Sequence, residues 1–116
     1  MIARALAAAL GLRVTERRAG GVAPYRCVIA ELHERSKTIV LYRDALELLG
    51  RLVDSGRLPF DRAQLDEIAI AHECFHARAP QGSEESAHAF AASLLGLTES
   101  PAVLNDALAR HLAGVA

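Results

Sequence analysis

Ile68-Ala69-Ile70-Ala71-His72-Glu73-Cys74-Phe75-His76 is the stretch on which the reading of this chain turns. It holds an H-E-x-x-H signature within a strongly helical run. Histidines four residues apart lie on one helical face, one turn from each other, so both imidazoles can reach a single metal ion. The glutamate between them is close enough to act as a base toward water on that metal. In zinc peptidases the metal brings the pKa of its water to near neutrality and a carboxylate handles the proton. Metal-dependent peptide hydrolysis is therefore the first function to consider.

The flanking residues support a helix. Asp61 is a plausible N-cap after Phe60, and Asp66 and Glu67 fall in the early turns. Leu65, Ile68, Ala69, His72, Phe75 and His76 recur at spacings that make one helical face. Pro80 and Gly82 end the run. The two histidines extend an apolar stripe, so they are expected to point inward. Buried neutral imidazoles need partners. A metal is one solution, and backbone carbonyls are the structural alternative.

Catalytic zinc takes three protein ligands. Downstream runs Ser83-Glu84-Glu85-Ser86-Ala87-His88-Ala89-Phe90-Ala91-Ala92-Ser93-Leu94-Leu95, with Ser83 as N-cap and acids in the first turn. Glu84, Ala87, His88, Ala91 and Leu95 share a face, whereas Glu85 falls on a less apolar one. Glu84 is the better inward carboxylate, and Glu85 is the alternative. Either can also be read as an ordinary acidic first turn favoured by the helix dipole. The seven-residue linker Ala77–Ser83 allows an antiparallel helix pair that sets Glu84 beside His76.

The pieces from Ile68 to His76 and from Glu84 to Leu95 resemble the ImmA/IrrE family of gluzincin-type metallopeptidases. That family couples H-E-x-x-H with a later E-x-x-A-(N/D)-x-F-A-x-x-L-L segment. The similarity covers about 28 of the 116 residues. It implies Zn²⁺ on His72, His76 and Glu84, with Glu73 as general base. It implies a minimal zincin-like domain in which an edge strand near the metal helix receives the substrate. It also implies a protein substrate, such as a DNA-binding repressor in phage, mobile-element or stress control. Two departures stand out. The spacer between the motifs is short, and His88 stands where the family has Asn or Asp. In the family that position often supports a ligand histidine. His88 can do so, can be a rival ligand, or can face solvent.

Length and composition set the frame. A chain of 116 residues reads as one domain, 1–116, with 52% apolar residues available for a core and no Trp. Net charge is −1 without a basic cluster, which argues against direct nucleic-acid binding. Two cysteines, Cys27 and Cys74, make no disulfide framework, and Cys74 reads as a small buried apolar residue. No segment reads as a membrane span. Ile2, Leu6, Ala9 and Leu10 suit a short amphipathic helix better than a signal peptide, so a cytoplasmic location is expected.

Elsewhere Leu12 and Val14 mark a short strand, and Ala19–Pro24 a turn. Tyr25–Leu32 and Thr38–Tyr42 read as an antiparallel hairpin. Asp44 caps a helix ending near Ser55-Gly56, and Ser100-Pro101 opens a final helix to about Leu112. The expected architecture is α+β: a small antiparallel sheet packed by four or five helices, including the H-E-x-x-H helix. Candidates to stabilise an oxyanion are His33, Tyr42, Tyr25 and His88. Two functional readings follow: a small soluble zinc metallopeptidase, or a catalytically inactive zinc-binding interaction module with a gluzincin-like fold.

Overall fold

Thr38-Ile39-Val40-Leu41-Tyr42 is an unbroken apolar and β-branched run, the pattern of a strand covered on both faces. In the computed structural model, which describes residues 1–114, this strand is the centre of the main sheet and all five of its residues are buried. With it the elements, in chain order, are α1 (Ile2–Ala9), β1 (Arg13–Arg17), β2 (Val22–Ala23), β3 (Arg26–Cys27), β4 (Ala30–His33), β5 (Thr38–Tyr42), α2 (Arg43–Asp54), α3 (Arg62–Arg78), α4 (Glu84–Leu95) and α5 (Ala102–Leu112). The α+β expectation holds, with five helices.

The sheet is mixed, not antiparallel throughout. Its order is β1-β5-β4. β4 opposes β5 as a hairpin, with Ala30 across from Leu41 and His33 across from Thr38, but the expected strand Tyr25–Leu32 is shortened: only Ala30–His33 joins β5, and Arg26–Cys27 pairs elsewhere. β1 lies on the other side of β5 and runs parallel to it, from Arg13↔Thr38 to Arg17↔Tyr42. The segment between β1 and β4 is not a plain loop. β2 and β3 pair as a miniature antiparallel hairpin, Val22 with Cys27 and Ala23 with Arg26.

Asp44 explains how that small hairpin is held. α2 leaves β5 without a connecting loop, so Tyr42 takes the capping position and Asp44 falls inside the first turn rather than before it. Its carboxylate accepts hydrogen bonds from the backbone N–H groups of Gly21 (3.1 Å) and Val22 (2.9 Å), and from Ala45 (2.9 Å). Gly21 has no space for a side chain, since a Cβ there would lie 2.5 Å from the Tyr42 Cβ.

α3 is the hub. Asp61 and Gln64 form a reciprocal capping box at its start. Phe60 and Leu65, flanking that cap, are both buried in the main core, as a hydrophobic staple requires. Leu65, Ile68, Ala69, Ile70, Ala71 and Cys74 are buried and occupy more than one face of the helix. A helix apolar nearly all round is one surrounded by protein, and α3 packs against α1, α2, α4, β4 and β5. Cys74 is fully buried, and burial pushes its thiol up to about 11, which fits an inert packing residue. Among the described residues, no helix is long and apolar enough to cross a membrane.

Candidate metal centre

The turn between α3 and α4 brings the two motifs together. His72 and His76 lie on one face in the second half of α3. Ser83 caps α4, its hydroxyl accepting from the Ser86 N–H at 3.0 Å. Glu84 is then the first residue of α4, at the point where the helices meet. Its Oε2 lies 2.9 Å from His72 Nε2 and its Oε1 lies 2.8 Å from His76 Nε2. The two imidazole Nε2 atoms are 3.2 Å apart.

These distances fit a metal. Zinc–nitrogen bonds of 2.0–2.1 Å in a tetrahedron separate neighbouring ligand atoms by about 3.3 Å. The three observed separations lie within about half an ångström of that value. A cation there would satisfy all three groups at once. His72 is held below the usual imidazole range, chiefly by burial and further by the neighbouring His76 and His88, with Glu84 pulling the other way. The neutral imidazole is the ligand form. His72, Glu84 and His88 also form a His/Glu/His group whose potential ligand atoms lie within 4.8 Å of one another, close enough to hold a metal ion.

Glu85 does not join this group. It borders a separate depression with Ala89 and Ala92. Glu84 is not buried as an inward face would suggest: its side chain is 66% exposed and reaches the histidines from the rim. The face argument from the sequence nevertheless selects the carboxylate that the fold brings to the histidines.

Glu73 points to another side of α3, toward β4. Burial raises its carboxyl to about 7, the charge of Glu84 adds to this, and the backbone of Leu32 opposes it. It shares with His72, His76, Glu84 and His88 a cavity of about 280 Å³. The opposite wall is apolar, formed by Ile29, Ala30, Leu104 and Leu108 among others.

β4 borders that cavity with a free edge. Among the described residues it pairs only with β5. The Ile29 carbonyl accepts from the Tyr42 N–H at 2.9 Å, so Ile29 directs its main-chain groups to β5. Antiparallel pairing alternates this direction residue by residue. Ala30 and Leu32 therefore turn their N–H and C=O groups to the open edge.

The oxyanion candidates separate cleanly. Tyr25 is 94% exposed and His33 is exposed at the end of β4. Tyr42 donates its hydroxyl to Glu31 Oε1, and this bond, then burial, raises its pKa. None of the three lines the cavity. His88 does, with its Nε2 3.2 Å from Asn105 Nδ2. Sequence reasoning missed Asn105. It lies on a solvated face of the last helix, 17 residues from its partner, where no local pattern marks it.

Compared with known protein families, with curated proteins and with solved structures, the chain matches none.

Proposed function

We propose that this protein is a small zinc-dependent metallopeptidase with His72, His76 and Glu84 as metal ligands and Glu73 as general base. The observation that carries this reading is the convergence of two Nε2 atoms and one carboxylate within 2.8–3.2 Å, in a cavity shared with Glu73. When bound, zinc would supply a Lewis acid for the scissile carbonyl and acidify a water to near neutrality. The protein supplies the rest. Glu73, on the wall of the same cavity, can take a proton from the attacking water and return it to the leaving amine. The main-chain groups of Ala30 and the Leu32 carbonyl can pair with an extended peptide as an added strand, laying it across the centre. Following the family resemblance, the substrate is a regulatory protein such as a DNA-binding repressor, and the work is done in the cytoplasm.

One observation favours a second reading. His88 stands near enough to His72 and Glu84 to be considered as a further ligand. Four protein ligands close a zinc site to water, and the protein would then be a zinc-stabilised interaction module. Two measurements test the first reading. Elemental analysis should find one zinc per chain, and occupancy below about a tenth of an equivalent after supplementation would remove the metal. Incubation with the proteome of the source cell should generate new peptide termini with wild type and none with Glu73→Gln. Identical termini from both, or none from either, would favour the interaction module.

A further inference from the structure

The last helix contributes two kinds of surface to the cavity beside the metal ligands. Pro101 caps α5, and Leu104, Asn105 and Leu108 follow at spacings of three and four, so one helical face lines it. Asn105 belongs to the polar end. Its Nδ2 lies 3.2 Å from His88 Nε2, and the His88 ring centroid lies 5.0 Å from that of His72. Glu84 bridges His72 and His76, so these five side chains form one run of neighbours.

The remaining wall is apolar. Val28 and Ile29, between β3 and β4, are half-buried, and Leu104 and Leu108 are 2% and 5% exposed. Ile68 and Pro101 complete it. Apart from Glu73 and the polar run, Cys27 is the one polar side chain lining the cavity among the described residues. Burial raises its pKa, which keeps the thiol neutral.

Volume narrows what can enter. The whole cavity measures about 280 Å³. An apolar cavity of about 150 Å³ accepts benzene, and pockets for drug-sized ligands begin at about 300 Å³. With the reacting groups of a peptide at the metal end, the space left is that of one aliphatic or single-ring side chain. A charged side chain entering it would lose its water and find no partner. An apolar one gains with every methylene it buries.

We propose that Val28, Ile29, Leu104 and Leu108 form a side-chain subsite that selects protein substrates carrying one uncharged aliphatic or single-ring residue beside the bond to be cut. The proposal rests on the metallopeptidase reading and adds to it the class of sequence that is cut.

Hydroxamates with different tails test the subsite without a natural substrate. Protein loaded with Co²⁺ is titrated with acetohydroxamate, with 4-methylpentanohydroxamate, and with the monohydroxamate of glutaric acid, whose tail of similar length ends in a carboxylate. Binding is read from the visible spectrum of the cobalt. Each affinity is divided by that of acetohydroxamate on the same protein, which cancels changes at the metal itself. The branched apolar tail should gain about tenfold or more, since each fully buried methylene is worth about fourfold. The carboxylate tail should gain nothing. Ile29→Ala and Leu108→Ala should each cut the apolar gain about fivefold. Leu108 is a core residue whose truncation costs stability. Ile29→Ala, at a half-buried position, carries the test alone if that variant does not fold. Equal gains for the two long tails, or no gain for the apolar one, would place the tail in solvent and overturn the proposal, while acetohydroxamate binding would leave the metal centre standing. A gain undiminished in Ile29→Ala would also overturn it, since the tail would then lie elsewhere. Wild-type protein that takes up no cobalt would remove the centre, and the subsite with it.

Discussion

Gly82 lies directly against the ring of Phe75. A Cβ at Gly82 would stand 2.4 Å from Phe75 Cε2 and 2.7 Å from Cζ, with the Ala79 carbonyl oxygen at 3.0 Å. Phe75 precedes His76, and Gly82 lies two residues before Glu84. The short spacer between the motifs therefore closes only because position 82 has no side chain. Gly82→Ala should force α4 away from α3, lowering stability by about 1–3 kcal/mol, the usual scale of overpacking. It should also weaken zinc about tenfold or more, since ligand placement is disturbed. Thermal denaturation and chelator competition measure the two effects. Unchanged zinc affinity would show that the turn does not set the position of Glu84.

Glu84 and Glu85 are both exposed neighbours, but only Glu84 contacts His72 and His76. Glu84→Ala should lower zinc affinity by about a hundredfold or more, because a ligand is lost. Glu85→Ala should leave it within about threefold. Similar losses in both variants would mean that charge near the helix start matters, and not the specific carboxylate.

Glu73 makes stability depend on pH in the metal-free protein. Its carboxyl titrates near 7 in the fold, against 4.5 for an unperturbed glutamate. Between those values the folded chain holds the proton more tightly, so stability falls as pH rises through that window. The full effect is at most about 3.5 kcal/mol. His72, whose pKa is lowered by burial, acts in the other sense, losing stability as pH falls below its unfolded value of 6.5. The difference between wild type and Glu73→Gln isolates the carboxylate. The variant should match wild type near pH 4 and exceed it at pH 8, measured by denaturant unfolding with chelator present. No gain at pH 8 would mean that the carboxylate is well solvated.

Asp44 ties the β2–β3 hairpin to α2 through two backbone N–H groups. Asp44→Ala leaves both groups, near buried Gly21, without their acceptor. The expected cost is about 1–3 kcal/mol for each group that water does not reach. The same hairpin leads into Cys27–Ala30 on the cavity wall, so hydrogen exchange at Glu31 and Tyr42, whose N–H groups lie in the β4–β5 ladder, should accelerate as well. Exchange confined to residues 19–24 would show that the cavity wall is held independently.

The helices were legible because their signals are local. A cap and a three-to-four spacing are properties of neighbouring residues, and Asp61 and Ser83 cap their helices as their types suggest. The meeting of His72 and His76 with Glu84, and not Glu85, was legible for the same reason. Pairing in the sheet was only half legible. Arg13–Arg17 shows that a strand is possible, yet nothing in its own residues states which neighbour it takes or in which direction. The two-residue strands at Val22 and Arg26 are too short to carry a period. Asn105 and His88 meet from separate helices, and only the packing of α5 beside α4 creates their contact.

The central place of β5 bears on synthesis. Both of its neighbours precede it in the chain, and it separates them in space. A nascent chain that has emerged only as far as Lys37 carries β1 and β4 with no strand to join them, and five residues later the whole sheet can close. Pausing of translation just before Thr38 would prolong the exposure of two unpaired edges, and slow codons there should raise aggregation more than slow codons placed after Tyr42.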